Sequence, residues 1–344
     1  MTRAWVAAPC DLCRASEART ILTVPHADAP GGRSTIVQCA VCGLRRLDPR
    51  PGPDDIASYY EGDYYAHAGR TRGAAKQWLW DMMRDISSRA RGRGRRLAIL
   101  RPVIAPLAQY AFDINVPLDG NGVRRVLDVG CGHGDILMYL KSRGCEVQGV
   151  ELDARAAQKG REQGVPIHVG ELEELRLPAG SIDAVIMCHS LEHVPNPTQL
   201  LRESARVLGP GGTLHIAVPN GASTGLRIEG GAWWALMHPV HFWYFDAGTL
   251  GRLLEGAGFD VLTTRFRNHH VRERVLRVAR DAARPALSTG RAARFAWVLL
   301  REGGGGDILR VVARRRMTTE ESRRSRERGG LGRLGATVAP EDHA

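Results

Sequence analysis

The segment Val126-Leu-Asp-Val-Gly-Cys-Gly-His-Gly-Asp135 limits the possible folds of this chain more than any other stretch. Val126 to Val129 predicts a short buried strand, and Asp135-Ile-Leu-Met-Tyr-Leu-Lys141 has the apolar periodicity of a helix. Between them Gly130, Gly132 and Gly134 predict a turn whose backbone a ligand can approach closely, because glycine has no Cβ and adopts positive φ freely. A strand, a glycine turn and a helix start in that order form a nucleotide-type site in an α/β chain. The pattern is D-x-G-x-G-x-G. It departs from the dinucleotide fingerprint G-x-G-x-x-G in having Asp135 where the third glycine would pack helix against strand.

A second contact is expected downstream. Glu146-Val-Gln-Gly-Val-Glu151 reads as the next strand, and Glu151 falls 21 residues after Gly130 (151 minus 130), where an acid can bind both hydroxyls of a ribose. A single Glu after a strand is usually only a solvated acid, and Leu152 alone reads as core. Their order after the glycine turn gives them weight.

The same order continues through Ile167-His-Val-Gly-Glu171, Ser181-Ile-Asp-Ala-Val-Ile-Met-Cys-His-Ser-Leu-Glu-His193 and Leu208-Gly-Pro-Gly-Gly-Thr-Leu-His-Ile-Ala-Val-Pro219. With these segments the chain resembles the class I S-adenosylmethionine-dependent methyltransferases over residues 122–317. The resemblance implies a Rossmann-like α/β fold, a seven-stranded sheet with helices on both faces. In it the strand at Asp307–Arg314 returns antiparallel between those at Thr213–Val218 and Phe259–Arg265. It also implies S-adenosyl-L-methionine as cofactor. Asp128 would orient the glycine turn, Gly130, Gly132 and Gly134 would border the methionine part, Glu151 would hold the ribose and Leu152 would pack on the adenine. Glu171 would accept from the adenine amino group, with Leu172 beside it in the same cofactor set. The family more often has Asp at position 171, one methylene shorter.

Seven cysteines occur, and four of them form Cys10-x-x-Cys13 and Cys39-x-x-Cys42. Two such knuckles can bring four thiolates around one tetrahedral Zn2+, a structural site with no open position for water. Two β-prone runs, Thr20–Val24 and Ser34–Gln38, lie between the knuckles across a Pro/Gly-rich turn, as in a zinc ribbon. Disulfide pairing is the alternative, and a reducing cytoplasm disfavours it. The expected organisation is a zinc-ribbon-like unit at 1–50, a helical linker or lid at 51–121, and the methyltransferase domain at 122–317 with a helical insertion at about 267–306. A disordered tail, charged and poor in large apolar residues, is expected at 318–344. The ribbon followed by Tyr59, Tyr60, Tyr64 and Tyr65 resembles an N-terminal extension found among bacterial methyltransferases of this type. The tyrosines either cover the pocket or pack the ribbon on the catalytic domain.

No apolar run resembles a signal peptide or a membrane span, so the cytoplasm is the expected location. The net charge of +11 and the arginines around Trp78, Leu79, Met82, Met83 and Ile86 describe a basic amphipathic segment. It suits a solvated helix packed on the domain, or peripheral contact with an anionic membrane. Only Lys76, Lys141 and Lys159 are lysines among 48 basic residues. Arginine is therefore favoured by composition throughout, and nucleic acid is not the expected partner.

Methyl transfer from a sulfonium needs an aligned nucleophile and, for some acceptors, a base. His189, His193, His238 and His241 are candidates, since imidazole titrates near neutral pH. His241, in the loop expected to roof the acceptor pocket, is preferred as base, and His189 is expected closest to the cofactor. His193 sits in Leu-Glu-His-Val, where a structural hydrogen bond is expected. The aromatic run Trp233, Trp234, Phe242, Trp243 and Tyr244 suits stacking on a sugar or aromatic ring, so a small-molecule or glycan-type acceptor is expected. Methylation of RNA and a scaffold protein without turnover are the alternatives.

Overall fold

A computed structural model describes residues 4–59, 123–267 and 305–317, with short pieces at 81–82, 114, 319–321 and 323. Tyr60, Tyr64 and Tyr65, the basic amphipathic segment, the insertion at about 267–306 apart from its ends, and most of the tail lie outside them.

The N-terminal strands are β1 (Trp5–Val6), β2 (Ala18–Pro25), β3 (Arg33–Cys39), β4 (Arg45–Leu47) and β5 (Arg50–Pro51). Both predicted β-prone runs lie inside β2 and β3, where β-branched side chains favour extended backbone. β2, β3 and β4 form an antiparallel meander. Its outer edge is filled by a strand from far along the chain, β11 (Trp243–Tyr244), with Trp243 opposite Arg46 and Tyr244 opposite Arg45.

The main sheet contains β6 (Arg125–Val129), β7 (Glu146–Glu151), β8 (Ile167–Val169), β9 (Ile182–Cys188), β10 (Leu208–Pro219), β12 (Phe259–Arg267) and β13 (Ile308–Arg315). Their order is β12-β13-β10-β9-β6-β7-β8, and β13 runs antiparallel to both of its neighbours. The resemblance implied the placement of β13 between β10 and β12. Regular pairing of β10 with β9 begins at Thr213, as expected, although β10 itself starts at Leu208 and shifts register between those residues.

Alternation along the central strands supplies two apolar faces. Val126, Ala184 and Ile186 cluster on one face with Tyr139 and Leu140 of α1 (Asp135–Lys141). Leu127, Val185 and Met187 cluster on the other with Leu200 and Leu201 of α3 (Pro197–Val207) and Leu250 and Leu253 of α5 (Ala247–Gly256). Of the two helices between these in sequence, α2 (Ala154–Glu162) packs Ala157 on Ile167, and α4 (Thr224–Glu229) follows β10. Asp246 and Thr249 cap α5 reciprocally, which fixes where the chain leaves β11.

The cysteine-bearing unit shares the larger of these clusters. Cys10, Cys39, Leu44 and Leu47 pack in it with Phe242, Phe245 and Leu250. Polar contacts also cross the junction. Thr198 N–H donates to Asp11 Oδ2 at 2.8 Å, Leu47 N–H donates to Phe242 O at 2.9 Å, and the Arg45 guanidinium donates to Gly221 O. Among the described residues, no helix is long and apolar enough to cross a membrane.

Candidate active site

β6, β7 and β8 are parallel neighbours, so their carboxyl ends share one edge of the sheet, where α/β folds bind ligands. Gly130, Gly132 and Gly134 follow β6 there with φ of +74°, +55° and +81°. Gly130 N–H donates to Val150 O at 2.8 Å, and a Cβ at this position would run into the Ser190 side chain. A Cβ on Gly132 would meet nothing within 4 Å, so this part of the turn faces open space. Glu151, at the end of β7, spans the turn: Oε2 accepts from Gly132 N–H at 2.7 Å and Oε1 from Asp153 N–H at 3.0 Å. A carboxylate offers roughly four acceptor positions. Two remain for hydroxyl donors.

Leu152 is 61 % exposed directly after Glu151, an apolar surface ready for a planar partner. Glu171 is exposed at the head of the short turn Leu172–Leu175, and its N–H donates to Glu174 Oε2 at 3.4 Å. Leu172, expected beside the cofactor, instead turns its side chain into the core and is 1 % exposed. Asp128 is buried at the end of β6.

β9 ends at the same edge and leads into His189, whose φ of +56° is unusual for a side chain with a Cβ. Its Nδ1 lies 3.5 Å from Glu192 Oε1. His241 does not roof an open pocket: it is buried, and its Nδ1–H donates to Ala235 O at 2.8 Å. Burial holds its pKa down at about 3. His193 donates from Nδ1 to Val240 O at 3.0 Å, the structural bond expected of it, and burial lowers its pKa too. The two rings meet edge to face, with centroids 4.5 Å apart. Burial works against ionisation of Glu192, but the adjacent His189, His193 and His241 outweigh it and keep the carboxylate below its ordinary range. Sequence reasoning passed over Glu192. Its signal was available as a charged residue inside the otherwise apolar Ser-Leu-Glu-His-Val.

The expected aromatic stacking surface is core. Trp233, Phe242, Trp243 and Tyr244 are each 2 % exposed or less, and their polar atoms are used internally. Trp233 Nε1–H donates to Asp307 Oδ1, Trp243 Nε1–H to Val194 O and the Tyr244 hydroxyl to Leu236 O.

The four N-terminal cysteines converge, with one sulfur from each within 4.8 Å of the others. Cys10 and Cys42 sulfurs are 3.3 Å apart, those of Cys13 and Cys39 are 3.5 Å apart, and all four are free thiols. Tetrahedral zinc with Zn–S of about 2.3 Å spaces its sulfurs by ~3.8 Å, so the donor set fits that ion. Burial opposes ionisation of Cys39, yet the Cys42 and Val41 amides overcome it and bring its pKa to about 7. Burial pushes the Cys42 thiol up.

Residues 92–264, half of the 344-residue chain, match a family described as "Methyltransferase domain". A probable S-adenosylmethionine-dependent methyltransferase of Mycolicibacterium smegmatis is 34% identical over 146 residues, 41% of this chain and 54% of that protein. A ubiquinone biosynthesis O-methyltransferase of Xanthomonas oryzae pv. oryzae is 35% identical over 135 residues, 37% of this chain and 56% of its own length. The chain thus spans about half the length of these curated relatives. Among solved structures, an Archaeoglobus fulgidus SAM-dependent methyltransferase is 24% identical with a TM-score of 0.43, covering 70% of this chain and 99% of its own. The family match, the strand order β12-β13-β10-β9-β6-β7-β8 and the glycine turn agree, and the chain belongs to the class I S-adenosylmethionine-dependent methyltransferases.

Proposed function

We propose that the protein transfers the methyl group of S-adenosyl-L-methionine to a small-molecule acceptor. The observation that carries this reading is the left-handed glycine turn with Glu151 across it and the exposed Leu152 alongside. Together they offer a backbone cradle, acceptor sites for ribose hydroxyls and an apolar rest for adenine. When bound, the cofactor supplies an already activated methyl group. The protein's part is then to hold cofactor and acceptor in line and to keep water out.

The names of the ubiquinone-pathway relatives support a small acceptor. A glycan-type acceptor loses the stacking surface that suggested it, since four of the five aromatics are internal. Of the candidate bases, His189 has the geometry for direct contact, being partly exposed at the end of β9 beside Ser190, which abuts Gly130. His241 acts from the interior, through the Glu192 cluster. The four cysteines hold one structural zinc. Fewer than one zinc per chain in protein purified under reducing, chelator-free conditions would refute that assignment.

The cofactor reading is tested by calorimetric titration of S-adenosylmethionine and S-adenosylhomocysteine into the wild type and Glu151→Ala. Micromolar binding that is lost in the variant is expected. Absence of binding to the wild type would remove the proposal.

A further inference from the structure

Glu192 and His193 belong to the short turn Leu191–His193 that follows β9, and His241 precedes β11. One ligand-capable atom from each, a carboxylate oxygen and two ring nitrogens, lies within 4.8 Å of the others. Both imidazoles are oriented in the same way. His193 Nδ1 is 3.0 Å from Val240 O and His241 Nδ1 is 2.8 Å from Ala235 O. A carbonyl oxygen only accepts, so each ring carries its proton on Nδ1 and has Nε2 as its acceptor nitrogen. Histidines that ligate metals are held by this kind of bond from their other nitrogen.

Glu192 supplies an independent observation. It is 0 % exposed, and neither carboxylate oxygen has a hydrogen-bond partner among the described residues. His189 Nδ1, 3.5 Å from Oε1, is at the outer limit for such a bond. A carboxylate buried without donors is unfavourable unless a cation or a donor comes to it.

We propose that Glu192, His193 and His241 form a binding site for one divalent first-row transition-metal cation of the zinc type. Two imidazoles and a carboxylate select zinc, cobalt, manganese or iron over magnesium and calcium, which prefer oxygen shells. Three protein donors also leave a coordination position open, unlike the four cysteines. Ser190, two residues before Glu192, abuts Gly130 of the cofactor turn, so the segment that carries Glu192 and His193 borders that turn. The open position accepts a water molecule, whose proton is more easily lost when the oxygen is metal-bound. The site depends on neither cofactor binding nor the cysteine cluster.

Cobalt(II) titrated into the full-length protein without cofactor tests the assignment, because its absorption reports its donors. A bound equivalent with visible ligand-field bands and no thiolate charge transfer is expected. Its affinity should fall more than about 100-fold in Glu192→Gln and in His241→Asn. The Asn amide retains a donor for Ala235 O and removes only Nε2. With the cysteine site already filled, further zinc should raise the melting temperature of the wild type and leave that of Glu192→Gln unchanged. If every cobalt ion bound by the wild type carries thiolate bands, the proposal fails whatever the variants do. It fails equally if folded Glu192→Gln binds the nitrogen- and oxygen-coordinated ion as tightly as the wild type.

Discussion

Gly130 and Gly132 share a left-handed backbone but differ in what surrounds them. Gly130 is pressed against Ser190, so Gly130→Ala adds a steric overlap to the backbone strain and should cost about 3 kcal/mol. Gly132→Ala meets open space and should cost only about 1 kcal/mol. Both should abolish cofactor binding, since the Gly132 Cβ would occupy the ligand's side of the turn. Thermal melting alongside calorimetry separates the two effects. His215 reports on the core instead. Burial holds its pKa at about 4, against an ordinary 6.5. Folding therefore favours the neutral ring, and the stability is complete above pH 6.5. It should decline as pH falls from there towards 4, where the unfolded chain is protonated and the folded one is not. His215→Leu should flatten that part of the stability–pH curve by about 3 kcal/mol, measured by denaturant titration at several pH values. The contact of Glu151 with the turn could be anticipated from spacing, because it depends on one β-α-β unit. The meeting of His241 with Glu192 could not, because residues far apart in sequence form it and no local periodicity records such an encounter.

Among the elements, β4 joins two sheets' worth of chain through one buried cation. Arg46 is 1 % exposed, donates from Nε to Ala8 O at 2.9 Å, and pairs through Nη2 with Asp48 at 2.9 Å. Arg46→Leu should lower stability by about 3 kcal/mol, visible as a reduced denaturation midpoint, because Asp48 and the Ala8 carbonyl lose their donor. Strands β6, β7, β12 and β13 and helix α1 were legible from glycine placement and apolar runs, with ends within a residue or two, and β10 was legible from Thr213 onward. That strand runs on through Gly-Pro-Gly-Gly because the irregular stretch pairs with β9 only at Leu208 before regular pairing resumes. β11 was not legible as a strand. Its residues read as an aromatic surface, and only the exposed edge of β4 makes them extended.

For the molecule as a whole, the cysteine-bearing unit and the catalytic sheet share one apolar cluster. Deleting residues 1–50 should therefore uncover Phe242, Phe245 and Leu250 and give an aggregating product. A soluble 51–344 fragment with a cooperative melt would contradict this. The pairing of Trp243 with Arg46 also has a consequence during synthesis. These partners are 197 residues apart (243 minus 46), and chain growth is slow compared with the closing of a local turn. Strands β2, β3 and β4 must wait for β11 to be synthesised before their sheet is complete. Until then the edge of β4 that β11 later covers is open to pairing with another chain.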